Sequence, residues 1–110
     1  MSNQFVEKVL QNAVTSTATG QELVMDGYIL PAFQLSGTFT ATVTFEATVN
    51  GSDWYGLRVY DVSTNAAATT KAAAGIYYTL YDAPYHAVRA RVTTYTNGPV
   101  TVWARAIARK

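Results

Sequence analysis

From Thr38 to Val49 the chain alternates almost without fault: Phe39, Ala41, Val43, Phe45, Ala47 and Val49 are apolar, while Thr38, Thr40, Thr42, Thr44, Glu46 and Thr48 are polar. A period of two over that length is the pattern of a strand with one face buried and one face wet. The strand runs into Asn50-Gly51-Ser52-Asp53, a turn cluster, and out into Trp54 and Tyr55. The first firm object in the chain is therefore an antiparallel β unit.

Further strands follow from the same reading. Leu23 to Met25 and Tyr28 to Leu35 are apolar runs broken by Asp26-Gly27 and by Pro31. Proline cannot donate to a ladder, so the second run is expected at a sheet edge or at a bulge. Trp54 to Val62 is another candidate, and so is Ile76 to Tyr81, after which Asp82-Ala83-Pro84 turns the chain. Ser63 to Gly75, with its alanine runs, reads as an exposed excursion, because so short a run is marginal as a helix. Residues 1–15 read as an N-terminal arm ahead of a sandwich domain spanning 16–110. Phe5, Val6, Val9, Leu10 and Ala13 suit a short amphipathic helix, but Val9 to Val14 suits a first strand equally well. Met1 to Gln4 is expected to fray, and Thr15 to Glu22, rich in Ser and Thr, reads as a connection.

The last two strands allow a statement about register. Val88, Ala90 and Val92 are inward by pattern, and so are Val100, Val102, Ala104 and Ala106; all are even-numbered. Pairing even with even across an antiparallel hairpin requires a loop with an odd number of residues. A three-residue loop Thr96-Asn97-Gly98, with Gly98 left-handed in a bulge, meets that need. It predicts Val92 opposite Val102, Arg91 opposite Trp103 and Arg89 opposite Arg105. Directly opposed arginines repel, so that outer face wants a carboxylate from this chain or a neighbour. Short strands with turns between them and little helix make an antiparallel β-sandwich or jelly roll.

Composition narrows the function. At 110 residues the chain makes one domain, able to bury roughly two-thirds of its unfolded surface. Charged residues are 14%, against about 25% in an average globular protein, which suits a surface partly covered by a partner. A net charge of +1 argues against nucleic-acid binding, which needs clustered Lys and Arg. There is no cysteine, hence no disulfide or thiolate metal site. No apolar run reaches the roughly 18 residues of a membrane span, and no basic-then-apolar stretch opens the chain. No membrane partner is expected, and the site of synthesis is expected to be the cytoplasm.

Chemistry is sparse. His86 is the single histidine and stands in no ligand or nucleophile spacing, so it reads as a half-buried loop residue. Ser16, Ser36, Ser52 and Ser63 assemble no triad with it. Asp53, Asp61 and Asp82 sit at strand ends, where turn capping explains them better than a Ca²⁺ site. No enzyme, cofactor or metal is expected. The surplus lies in the aromatics: in Trp54-Tyr55 and Tyr77-Tyr78, neighbours on a strand point opposite ways, so one of each pair should lie outside the core. Trp54, Tyr55, Tyr77, Tyr78 and Trp103, with Arg89, Arg91 and Arg105, are the candidate interface or glycan-stacking residues.

Three stretches carry a resemblance. The strand Gly37-Thr38-Phe39-Thr40-Ala41-Thr42-Val43-Thr44-Phe45-Glu46, the turn Asn50-Gly51-Ser52-Asp53-Trp54 with Gly75-Ile76-Tyr77 after it, and the run from Val88 to Val102 occur in an order that resembles small all-β structural proteins of tailed bacteriophages and prophages. The likeness covers Thr17 to Ala106, with Ala66 to Ala74 unmatched and Asp82-Ala83-Pro84-Tyr85-His86 departing from the pattern. It implies a non-enzymatic virion component, a capsid decoration, neck or tail-associated protein, found in the particle. Such a protein acts by self-association, as a trimer or larger ring, and by docking on other virion proteins. The alternative reading is a carbohydrate-binding module that stacks host surface glycans on Trp54, Tyr55 and Trp103.

Overall fold

The computed structural model describes residues 4–80 and 83–108, and in them the chain is an antiparallel β-sandwich. Eleven strands are formed: β1 (Phe5–Val14), β2 (Glu22–Val24), β3 (Tyr28–Ser36), β4 (Thr40–Thr48), β5 (Tyr55–Gly56), β6 (Val59–Asp61), β7 (Ala67–Ala68), β8 (Thr70–Lys71), β9 (Gly75–Tyr78), β10 (Ala87–Asn97) and β11 (Val100–Ala108). One sheet runs β1-β11-β3-β9-β6-β7, and the other β2-β10-β4-β5 with β8 also on β4. The expectations for Met1 to Asn3, and for Tyr81 and Asp82 at the end of the predicted strand and turn, lie outside the described residues.

The alternation in β4 does what its period requires. Ala41, Val43, Phe45 and Ala47 are buried, and the threonines between them face outward. Phe45 closes on Phe33 of the opposite sheet at 4.8 Å between ring centroids and on Tyr77 at 6.0 Å. Around this aromatic centre pack Leu35, Val59, Val88, Val92, Val100 and Val102, all near zero exposure. Burying such side chains contributes about 1.5–3 kcal/mol each. The sheets cohere through them. Val49, the last apolar residue of the alternation, falls beyond the strand and is exposed.

The hairpin predicted for the last two strands does not form. β10 pairs with β2 and β4 in one sheet, while β11 pairs with β1 and β3 in the other. Val92 therefore stands opposite Val43 and Val102 opposite Leu35. The parity argument was sound for the facing of each strand but blind to the choice between two geometries. Even-numbered residues meet in the middle whether the strands are paired side by side or stacked face to face. Gly98 is left-handed as expected, with φ +83°, but it turns an arch between sheets.

Why the arch wins is visible at its contacts. The chain also crosses between sheets from β3 to β4 through Gly37, and this crossing lies against the arch from β10 to β11. A Cβ on Gly98 would run into Thr38 O and come within 2.7 Å of Phe39 Cα, and one on Gly37 would meet Pro99 O at 2.5 Å. Only glycine allows both the left-handed backbone and this approach. Tyr95 ties the arch down, its hydroxyl donating to Gly98 O at 2.7 Å.

Three other stretches refine the reading. β3 is an interior strand, and the Pro31 problem is solved by the bulge alternative: Arg105 pairs with Ala32 and Ile107 with Ile29, leaving one extra residue on β3 where Leu30 takes φ +57°. Ser63 to Gly75 is more than an excursion, since β7 extends the first sheet and β8 pairs with Val43 and Thr44 of the second. Residues of the N-terminal segment form strand rather than helix. β1 hydrogen-bonds to β11 as the edge of the six-stranded sheet, bulging twice so that Leu10 and Gln11 both turn inward. There Gln11 Nε2 donates to Ala18 O and Ala90 O, stitching the edge to the other sheet.

Candidate functional site

The two outer faces of the sandwich differ in kind. On the five-stranded sheet one row across the strands reads Glu22, Arg89, Glu46, Gly56, and the next Arg91, Thr44, Thr70. Glu46 Oε1 accepts from Arg89 Nε and Arg91 Nε, each at 2.8 Å, and Oε2 accepts from Arg91 Nη2 at 3.1 Å. Burial pushes the Glu46 carboxyl up, but the hydrogen bonds and charges of Arg91 and Arg89 outweigh it and hold the group below the ordinary carboxylate range. The Arg89 guanidinium also lies 4.0 Å from the centre of the Trp54 ring. This face is polar and internally satisfied. The opposition of Arg89 and Arg105 that called for a carboxylate does not form: Arg89 shares Glu46 with Arg91, and Arg105 stands beside Glu7 on the other sheet. Arg89 and Arg105, predicted as opposed neighbours, lie on opposite faces of the molecule.

The outer face of the six-stranded sheet is the reverse. Register places Val9, Trp103, Gln34 and Ile76 in one row, Glu7, Arg105, Ala32, Tyr78 and Tyr60 in the next, and Phe5, Ile107 and Ile29 in the third. Three of these twelve residues are charged or amide; the rest are apolar or tyrosine. Phe5, Trp103, Ile76 and Ile107 remain 41%, 45%, 46% and 48% exposed. That leaves roughly 350 Å² of open surface on apolar residues, within the range of the largest patch on a monomeric protein, which is often functional. The charges at its centre are balanced. Arg105 Nη1 is 3.8 Å from Glu7 Oε2, and its guanidinium covers the Phe5 ring at 3.9 Å. Tyr60 and Tyr78 stack at 5.6 Å, with the Tyr78 hydroxyl donating to Asn65 Oδ1.

At the end of the sandwich where β4 turns into β5, a cleft of about 510 Å³ is lined by Asn50, Asp53, Tyr55, Arg58, Thr79 and Tyr85 over a floor of Ala47 and Leu57. Tyr55 is 74% exposed there. Burial pushes the Tyr85 phenol up. His86, close by, serves structure: its backbone N–H donates to Thr48 O and its carbonyl accepts from Met25, while Nδ1 stands 3.4 Å from Asp26 Oδ1. Asp53 and Asp61 both sit in turns closed by side-chain hydrogen bonds, Asp61 accepting from Ser63 N and Oγ. Among the described residues no group of three or more His, Asp or Glu stands close enough to hold a metal ion, and no helix is long and apolar enough to cross a membrane.

The candidate residues thus separate. Tyr77 does not reach the surface: it is 1% exposed, its ring in the core and its hydroxyl donating to Ala73 O, so the outward member of that pair is Tyr78. Trp54 is half-buried under Arg89, Tyr55 lies in the cleft, and Trp103 and Arg105 belong to the other sheet. Trp54, Tyr55 and Trp103 share no surface on which one glycan could stack. Phe5, Ile76 and Ile107 were not among the expected surface residues, although the alternation that turns Val102, Ala104 and Ala106 inward already turns Ile107 outward.

Comparison with known proteins locates the fold. No protein-family model and no curated protein matches the chain. The crystal structure of the SPBc2 prophage-derived protein YomS is similar with a TM-score of 0.85 at 18% identity, over 94% of this chain and 93% of that one. That of the PBSX exported protein XepA is similar with a TM-score of 0.88 at 16% identity, over 96% of this chain but 38% of that one. The same sandwich therefore occurs both as almost a whole chain and as a minor part of a longer one.

Proposed function

We propose that this protein is a non-enzymatic structural component of a tailed-phage or prophage particle, acting by self-association and by docking on other particle proteins through the outer face of its six-stranded sheet. The observation that carries the reading is the contrast between the two outer faces. One satisfies its own charges; the other presents Phe5, Trp103, Ile76 and Ile107 to solvent. Water-exposed apolar rows on the outer face of a sheet are stabilised by a second surface that covers them. The charge pattern selects the kind of partner. Glu7 and Arg105 are direct neighbours on paired strands, so the patch carries one charge of each sign and fits another copy of itself, whose Arg105 can meet Glu7. A stable interface covers about 800 Å² per partner, of which these apolar side chains would form the centre and Gln34, Tyr60 and Tyr78 part of the polar rim. Support for the phage setting comes from the sequence resemblance and from the shared fold with a prophage-derived protein.

Sedimentation velocity over a range of concentrations, with wild type beside Trp103→Asp, tests this. The expected result is a discrete oligomer for the wild type that the substitution dissociates with its melting temperature unchanged. A wild type that stays monomeric at the highest concentration and does not attach to purified particles would sink the proposal.

A further inference from the structure

We infer that the cleft beside β5 is a binding site for a neutral saccharide, with Tyr55 as its stacking platform and Asp53 and Arg58 as its polar contacts. At about 510 Å³ it lies within the range of small-ligand sites, apolar at its floor with a few polar groups at its mouth. One of its polar groups, Asp53, is held by a chain of hydrogen bonds. Asn50 Oδ1 accepts from Ser52 N and Asp53 N, at 2.8 and 2.9 Å, and its Nδ2 donates to Asp53 Oδ2 at 2.8 Å. Thr48 Oγ1 in turn donates to Asn50 Oδ1 and accepts from Gly51 N. This chain of bonds starts at a buried strand residue and ends on the Asp53 carboxylate, leaving Oδ1 to accept from a ligand. Asn50 is thus a positioning residue, and Asp53 is held for use.

The residue types then choose the ligand class. Tyr55 leaves three-quarters of its surface open inside a concavity, although the core lies two residues away at Leu57, whose N–H donates to Phe45 O. An open aromatic ring suits a flat, partly apolar body, such as the C–H face of a pyranose. Vicinal hydroxyls of the same ring both donate and accept, which matches one carboxylate and one guanidinium at the rim. One charge of each sign gives no net attraction for an anion, so phosphate and uronate are disfavoured. The inference is independent of the self-association reading, whose surface lies on the outer face of the other sheet.

The test is a ¹H–¹⁵N NMR titration of the full chain with maltose and with chitobiose, and with sodium phosphate as the anionic control, backed by a glycan array of neutral and acidic bacterial saccharides. The expected result is saturable shifts confined to residues 48–58, Thr79 and Tyr85 for at least one neutral sugar. Tyr55→Ala should weaken that binding at least about tenfold, and Asp53→Asn by a similar factor, with melting temperatures unchanged. Because both residues are exposed, loss of fold does not confound the result. The inference is overturned if no neutral saccharide binds, if only phosphate or acidic glycans bind, or if Tyr55→Ala binds as the wild type does.

Discussion

Replacing Glu46 by glutamine removes the anion that two arginines share and leaves the strand geometry untouched. Glu46 keeps 12% of its side chain exposed, Arg89 19% and Arg91 36%, so the triad is neither a surface pair nor a fully buried one. Exposed pairs contribute about 0.2–1 kcal/mol, and breaking a buried pair costs about 3–5 kcal/mol. The Arg89 contact lies between these limits, at about 1.5 kcal/mol, and the more open Arg91 contact within the exposed range, at about 0.5–1 kcal/mol. Glu46→Gln is therefore expected to lose roughly 2 kcal/mol at neutral pH, or roughly 10 °C in melting temperature for a domain of this size. Urea denaturation followed by circular dichroism measures it, and a double-mutant cycle with Arg89→Ala should return a coupling above about 1 kcal/mol. The sign of the pH dependence follows from the depressed carboxyl. The stabilisation is complete above the unfolded glutamate value of about 4.3 and is lost as pH falls through the lower folded value, so the two proteins converge in acid. Equal stabilities at pH 7, or a gap that persists unchanged below pH 4.3, would refute the argument.

Two further substitutions probe the crossings between sheets. Gly98→Ala should lose about 2 kcal/mol or more by urea denaturation, while Gly27→Ala, at the similar φ of +85° but with nothing within 4 Å, should lose only the conformational share of about 1 kcal/mol. Their difference isolates the collision with Thr38 and Phe39. Gln11→Met deprives Ala18 O and Ala90 O of their side-chain donor at nearly constant volume, with an expected loss of about 1–2 kcal/mol by the same measurement and faster hydrogen exchange at the Ala18 amide.

The strands and their facing were legible because period-two alternation is a local property. The inward sides of β4, β10 and β11 are those their residues predict, and the turn at Asn50 to Asp53 is where it was placed. Pairing was not legible, since it depends on which strand sits beside which after loop closure. For β10 and β11 the same parity served a hairpin and an arch, and only the Gly37 and Gly98 crossings together distinguish them. The alanine-rich stretch misled for a related reason: β7 and β8 take two residues each, and partners elsewhere make them strand. Of the surface, the predicted opposition of Arg89 and Arg105 called for a carboxylate, but the pairing that brings Glu46 to Arg89 and Arg91 spans some forty residues of sequence and is not a local property. Tyr55 was found by residue type, Trp103 by residue type and alternation together, and the juxtaposition of Phe5 with Ile107 only by the register that sets them opposite each other.

That same register has a mechanical side. Phe5 opens β1 and is the antiparallel partner of Ile107, one residue before the end of β11, so both ends of the sandwich emerge at one corner, about one strand spacing apart. Tension applied through the two termini would open the ladder rung by rung, like a zip, instead of loading all its rungs at once in shear. Joined into a longer polypeptide through both ends, the sandwich would fit as a side loop without stretching the host backbone, yet it would yield early when pulled along that backbone.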